Sequence, residues 1–68
     1  MKKLLSRRET EVLVHLKKGL RAGAVAEIMD INERTIGTYL RRVKLKLDLD
    51  LHTNLYKTVQ TAIDRGIL

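Results

Sequence analysis

A stripe of apolar residues in the middle of the chain constrains the fold more than any other feature. Its members are Ile36, Leu40, Val43 and Leu47. They recur at steps of four, three and four residues, which is the spacing of one face of an α-helix. Asn32 precedes this stretch, and its side-chain oxygen is suited to cap the unpaired amides of a first turn. The pattern predicts a helix over 33–47 whose apolar side packs into a core.

The opposite side of this helix carries cations and small residues. At about 100° of rotation per residue, the outward face consists of Arg34, Thr38, Arg41 and Leu45, with Gly37 and Lys44 on its flank. A helix with a cationic outer face and small residues near its start suits the major groove of double-stranded DNA. A solvated charged surface is the alternative, because lysine and arginine are common on exposed helices.

The distribution of charge favours a polyanionic partner. The net charge is +6, and residues 1–8 and 33–46 carry +4 each, whereas 9–32 and 47–68 carry −1 each. Two basic clusters separated by nearly neutral segments are typical of a nucleic-acid footprint. A membrane surface is also anionic, but the chain lacks the lipid-facing aromatics of an interfacial helix. No apolar run approaches the ~18 residues of a membrane span, so we expect no membrane partner.

Length and composition argue against an enzyme. A chain of 68 residues buries only about 60% of its unfolded surface, so a partner chain would help to stabilise it. It has no cysteine, which excludes disulfides and thiolate metal sites and suits the cytoplasm. His15 and His52 have no cysteine or repeated carboxylates near them at ligand spacing, and there is no glycine-rich phosphate loop. We therefore expect no catalysis, cofactor, metal or small-molecule ligand in this chain.

Two further helices are predicted before the stripe. Ser6 and Glu9 fit a capping box at the start of a helix over 7–18, and Gly19 is placed to end it. A short helix over 22–29 follows, with Val25, Ala26, Ile28 and Met29 as its apolar positions. Asp30 is a plausible left-handed turn residue between this helix and the stripe helix. Helix, short turn and helix form a helix-turn-helix arrangement.

A fourth helix is predicted over 54–65. Thr53 or Asn54 can cap it, Gly66 can end it, and its inward positions are Leu55, Val59, Ala62 and Ile63. The alternating segment 48–52 has the period of a strand, but a lone strand would have no partner, so we interpret it as a loop. The prediction is one all-α domain of four helices over 1–68. Its first five residues, 1–5, are predicted to form a flexible basic arm.

The residues resemble the DNA-binding domain of LuxR-type (NarL/FixJ/GerE) transcription regulators. That family opens with the pattern L-S-x-R-E-x-E-V-L, and residues 5–13 match it at every specified position. Gly19, Val25-Ala26 and Thr35-Ile36 stand at further family positions, as do Lys46-Leu47 and the ending from Ala62 to Leu68. The resemblance extends over nearly the whole chain and implies a four-helix helix-turn-helix fold. It also implies a third helix in the major groove and dimerisation, often through the fourth helix, on an inverted-repeat site.

The resemblance assigns contacts by position. The base-contacting positions are Gly37, Thr38 and Arg41, and the positions at or near phosphates are Arg34, Thr35, Arg42 and Lys46. Lys44, on the flank of the face, joins them as a further phosphate-contacting cation. The residues themselves leave alternatives: Arg41 contacts guanine or only phosphate, and Thr38 contacts a thymine methyl, a phosphate or nothing.

A dimer surface on the fourth helix is a separate expectation. Its residues are Leu55, Tyr56, Val59 and Ile63, which exceed what one small core face needs. Packing on the first helix is the alternative. The partner would be a second copy or a related regulator.

Five departures from the family pattern affect the expected interface. Residues 22–24 are small where relatives often contact phosphate, Gly37 replaces a common lysine, and Tyr39 replaces a frequent histidine. Leu45 places an apolar group on the outward face. The segment after Leu47 is also about three residues longer than is usual in the family.

These departures support a second hypothesis, a protein-interaction module that pairs with another regulator or RNA polymerase and binds DNA weakly. Charge reversal at Arg34 and Arg41 discriminates between the two hypotheses. A DNA-binding regulator would lose DNA binding but keep its fold and its protein partner, whereas an interaction module would lose neither function unless those residues contact the partner. We favour a sequence-specific DNA-binding regulator, located in the bacterial cytoplasm at the nucleoid. The chain is either a free-standing regulator or one domain of a longer one.

Overall fold

The described part of the chain, residues 4–68 of a computed structural model, consists of four helices joined by short loops. The helices are α1 (Arg7–Lys17), α2 (Ala22–Met29), α3 (Glu33–Lys46) and α4 (Leu55–Asp64). No strand occurs in these residues, and 48–54 form turns and irregular backbone. The predicted all-α fold is confirmed. The observed helices end within one residue of the predicted limits.

Local sequence signals set the ends of α1 and α2. Ser6 Oγ accepts a hydrogen bond from the Glu9 amide at 3.2 Å, and Glu9 Oε1 accepts one from the Ser6 amide at 2.8 Å, which completes the predicted capping box. Gly19 has φ +91°, as expected of the residue that terminates α1. Asp30 has φ 54° and ends α2 in the left-handed conformation.

Asparagine side chains cap the two C-terminal helices. Asn32 Oδ1 accepts from the Thr35 amide at 3.0 Å at the start of α3. Asn54, one of the two predicted candidates, accepts from the Lys57 amide at 2.8 Å at the start of α4. Each bond satisfies an amide that the helix itself leaves unpaired.

The stripe of α3 forms the centre of the core. Ile36, Leu40, Val43 and Leu47 are all buried, and α3 packs against both α1 and α2. The burial of these residues on one side forces the cationic residues of α3 outward.

Contacts between residues distant in sequence attach α4 to this core. α4 packs on α1 through Val59 and Ala62, which are buried. Arg65 Nη1 also donates a hydrogen bond to the carbonyl oxygen of Leu47 at 2.7 Å. A side chain at the end of α4 thus provides a donor for a carbonyl group at the end of α3.

Three residues differ in burial from their predicted roles. Leu55 was expected to point inward, but it lies at the start of α4 and is 38% exposed. The sequence pattern predicts Ile28 as an apolar position of α2, yet it is exposed because Val25, Ala26 and Met29 already cover the inward side. Leu5, the last residue of the predicted arm, is buried in the core. The prediction for residues 1–3 lies outside the described residues.

Candidate nucleic-acid interface

The outward face of α3 presents the residues that the sequence analysis placed there. Arg34, Gly37, Thr38 and Arg41 are all exposed on the side opposite the buried stripe. Leu45 continues this face toward the end of the helix and is 61% exposed. The three base-contacting candidates therefore share one accessible surface.

Three arginines on α3 are available to a ligand. Arg34, Arg41 and Arg42 are exposed, and none of them pairs with a carboxylate within residues 4–68. A guanidinium presents five donors in a planar fork that matches phosphate or the guanine edge. These three guanidinium groups lie on one helix and have no carboxylate partner within the described residues, so they are suited to bind an anionic partner that accepts hydrogen bonds.

The two threonines of this region are tied to the α3 backbone and its cap. Thr38 Oγ1 donates to the carbonyl oxygen of Arg34 at 3.3 Å, which leaves its methyl group and oxygen lone pairs for a partner. Thr35 Oγ1 donates to Asn32 Oδ1 at 3.3 Å and is half-buried. Thr35 thus has a role in capping that the sequence analysis did not identify.

The two lysines that were expected at phosphates both have partners in the protein. Lys44 Nζ donates to the carbonyl oxygen of Leu51 at 3.2 Å and holds the α3–α4 loop against α3. Lys46 Nζ lies 2.7 Å from Glu9 Oε1 and forms an ion pair between α3 and α1. Lys44 contacts a loop seven residues ahead and Lys46 contacts a residue 37 positions away, so helical periodicity gave no signal for either contact.

Glu9 is a buried charge that is satisfied from two sides. It is 2% exposed, and its Oε1 accepts from both the Ser6 amide and the Lys46 ammonium. Burial raises the pKa of this carboxyl group, but the hydrogen bonds and the charge of Lys46 outweigh burial, so the pKa lies below its ordinary value. Glu9 is therefore ionised at neutral pH and fixes the position of α3 relative to α1.

A second carboxylate lies at the start of α2, where the sequence offers no capping side chain. A Cβ atom at Gly23 would be 2.8 Å from Glu33 Oε1, so the Glu33 side chain rests against the first turn of α2. A negative charge at a helix N-terminus is favourable. Glu33 thus occupies the region where polar residues of relatives were expected to contact phosphate, and no sequence signal pointed to it.

An apolar groove between α1 and α4 contains the expected dimer residues. Leu16 and Leu20 line it from the α1 side, and Leu55, Tyr56, Val59 and Ile63 line it from α4. Tyr56 is 78% exposed, whereas Val59 is buried and Ile63 is half-buried. Val59 and Ile63 therefore contribute to packing within the chain, and Leu55 and Tyr56 present the accessible surface.

The described residues contain neither a cluster of metal ligands nor a helix suited to span a membrane. Residues 4–68 contain no group of three or more histidine, cysteine, aspartate or glutamate side chains arranged to hold a metal ion. None of the helices in this part of the chain has the length and apolar character needed to cross a membrane.

Comparison with known proteins supports the family resemblance. The profile of the bacterial regulatory proteins of the luxR family (GerE) matches residues 3–59. A transcriptional activator protein, ExaE of Pseudomonas putida, is 36% identical over 64 residues, which cover 94% of this chain.

The aligned region spans only 28% of the length of that relative. No solved structure matched the chain. The family profile covers the capping box of α1, all of α2 and α3, and the start of α4. The chain belongs to the luxR family of bacterial regulatory proteins and has its all-α, four-helix helix-turn-helix fold.

Proposed function

We propose that this chain is a sequence-specific DNA-binding domain of a transcription regulator and that α3 enters the major groove. The observation that carries the proposal is the outward face of α3, with three exposed arginines that have no carboxylate partner within residues 4–68. Membership of a family of regulatory proteins supports it, as does the similarity to a transcriptional activator. Such a regulator acts on chromosomal DNA, in the bacterial cytoplasm at the nucleoid.

The residues of α3 divide into base-contacting and phosphate-contacting groups. Arg41 can donate two hydrogen bonds to guanine O6 and N7, and the Thr38 methyl group can contact a thymine methyl. Gly37 has open space around it, so the helix backbone can approach the bases closely. Arg34 and Arg42 bind phosphates and set the register of the helix on the duplex.

The remaining phosphate-contacting candidates act mainly by positioning α3 and its loop through contacts within the chain. Lys46 holds α3 against α1 through Glu9, so its positive charge is largely neutralised there. Lys44 positions the α3–α4 loop, and Thr35 strengthens the cap of α3. Their contribution to DNA binding is the orientation of the α3 face, to which Lys44 adds a positive charge.

We also propose that the chain binds DNA as a dimer, with either a second copy or a related regulator. The exposed Leu55 and Tyr56 on α4, next to the apolar groove against α1, supply the surface. A two-fold dimer would place two α3 helices on an inverted-repeat site, since operator symmetry follows protein symmetry.

Site selection from a pool of random duplexes tests the sequence-specific function. We expect an enriched inverted repeat with a G·C pair that Arg41 contacts. Arg41→Gln should lose about 1–3 kcal/mol of discrimination at that pair. The control Arg42→Gln should weaken binding to all sequences uniformly. Failure to enrich any sequence, while binding to random DNA persists, would contradict sequence-specific recognition.

A protein-interaction module remains the second candidate function. Leu45 favours it, because a leucine that is 61% exposed on the same face as the arginines could contact a protein. The partner would be another regulator or RNA polymerase. Charge reversal of Arg34 and Arg41 separates the two functions. Loss of DNA binding with retention of the fold supports the DNA reader, and unchanged DNA binding contradicts it.

A further inference from the structure

The α3–α4 loop brings an apolar side chain beside the proposed base-contacting residues. Leu51 lines one open groove together with Gly37, Arg41 and Lys44. Its side chain is not part of the hydrophobic core and is 42% exposed. Leu49, two residues earlier, does pack against the core. The loop therefore anchors one leucine inside and presents the other on the outward side of α3.

Hydrogen bonds define the position of Leu51. Asp48 adopts a left-handed conformation with φ 58°, and the Leu49 amide donates to the Lys44 carbonyl oxygen at 2.8 Å, which turns the chain back along α3. Lys44 Nζ then donates to the Leu51 carbonyl oxygen at 3.2 Å. The Asp50 carboxylate accepts from the His52 amide at 2.7 Å, which closes a turn around Leu51. These bonds hold the backbone of Leu51 beside α3.

The chemistry of the groove fits one edge of a base pair. Gly37 leaves one side of the groove without a side chain, and Arg41 supplies donors next to the apolar surface of Leu51. In the major groove, thymine alone among the four bases presents a methyl group. A thymine methyl beside a hydrogen-bond acceptor therefore matches an apolar side chain beside an arginine.

We propose that Leu51 contacts a thymine methyl group in the bound DNA and is a specificity-determining residue supplied by the α3–α4 loop. The inference rests on the proposed function, since it requires α3 in the major groove. It extends the recognition surface beyond α3 to the α3–α4 loop.

Replacement of thymine by uracil tests this contact, because uracil lacks the methyl group and keeps the hydrogen-bonding edge. Each thymine of the selected duplex is replaced in turn, and affinity is measured by fluorescence anisotropy for the wild type and Leu51→Ala. At one thymine, the wild type should lose about three- to fivefold in affinity, the value of burying one methyl group. Leu51→Ala should bind both duplexes equally at that position.

Two control variants separate Leu51 from its neighbours. Leu45→Ala removes an exposed leucine from the same face, and Thr38→Ser removes a methyl group from α3 itself. Both should keep the uracil effect at the Leu51 position. Thr38→Ser should lose a uracil effect at a different thymine if Thr38 contacts one.

The outcomes distinguish this inference from the function on which it rests. If Leu51→Ala keeps the full uracil effect at every thymine, or the wild type shows none, the Leu51 contact is wrong while DNA recognition by α3 stands. If the wild type binds no duplex even at low salt, both proposals are overturned.

Discussion

Glu9 illustrates how one residue links the family motif to the position of the proposed interface. Its carboxylate completes the capping box of α1 and pairs with Lys46 near the end of α3. The ion pair has one deeply buried member and one that is 38% exposed. Removing the charge leaves the ammonium partly hydrated, so the cost is smaller than for a fully buried pair.

Glu9→Gln should lower the free energy of unfolding by about 1.5–3 kcal/mol at neutral pH, the range for a hydrogen bond to a charged group. The pKa of Glu9 is lower in the folded chain than its ordinary value of 4.5. Its stabilising effect is therefore fully present above that value and is lost as the pH falls through the folded pKa. Urea unfolding of both proteins between pH 3 and 7 measures this difference.

Glu11→Gln is the matched control, because within residues 4–68 Glu11 forms only exposed ion pairs, with Arg7 and Arg8. It should change stability by less than about 1 kcal/mol. A difference between wild type and Glu9→Gln that stays constant down to pH 3 would show that the Glu9 charge is not the source of the effect.

At the scale of the element, α3 combines strong helix signals with one weak position. Its cap and buried stripe favour the helix, whereas Gly37 in its interior costs about 1 kcal/mol relative to alanine. Apart from the neighbouring residues and the backbone of α3 itself, no atom lies within 4 Å of the place where a Cβ would be added. Packing within the chain does not require a glycine here. The missing side chain would instead allow a partner to approach the backbone of α3 closely.

Gly37→Ala should raise the free energy of unfolding by about 0.5–1 kcal/mol. The same substitution at Gly19 should have the opposite sign, because Gly19 has φ +91°, which disfavours any side chain, and the loss should be about 1 kcal/mol or more. Urea unfolding of the two variants measures the change in the free energy of unfolding that each substitution causes. A destabilised Gly37→Ala would mean that the backbone of α3 at Gly37 differs from a regular helix.

The elements were predictable from sequence because their signals are local. Ser6, Asn32 and the stripe of α3 act within a few residues of the helices that they start or bury, so spacing alone identified them. Contacts between elements were not predictable in this way. Glu9 and Lys46 are 37 positions apart, and the contacts of Glu33 with α2 and of Leu51 with the α3 groove depend on how the helices pack.

At the scale of the whole molecule, the candidate surfaces lie on different elements. The proposed DNA-binding face belongs to α3 and the loop that follows it, and the proposed dimer surface belongs to α4. The core beneath them is small, as expected for a chain of this length. Burial of Leu55 and Tyr56 against a partner chain would add apolar area that the monomer leaves in water.

Tyr56→Glu should reduce dimerisation without loss of folding, because Tyr56 is 78% exposed and a charge there disfavours only the apolar contact. Sedimentation velocity over a range of protein concentrations should show a monomer–dimer equilibrium for the wild type and mainly monomer for the variant. Ile28→Glu places the same charge on an exposed apolar residue of α2 and should leave the equilibrium unchanged. Equal effects of both variants would place the dimer surface elsewhere than on α4.

The central claim is that the outward face of α3 binds DNA, and its most direct test is the affinity for a labelled random duplex across a salt series. The wild type, Arg41→Glu and Lys18→Glu are compared by fluorescence anisotropy, since each substitution changes the charge equally and Lys18 is exposed at the end of α1. We predict that wild-type affinity falls steeply with salt because counterions are released. Arg41→Glu should bind about tenfold or more weakly than Lys18→Glu, since a charge-assisted contact is worth well over 1 kcal/mol. Equal loss in the two variants, or no binding by the wild type at low salt, would contradict a DNA-binding face on α3.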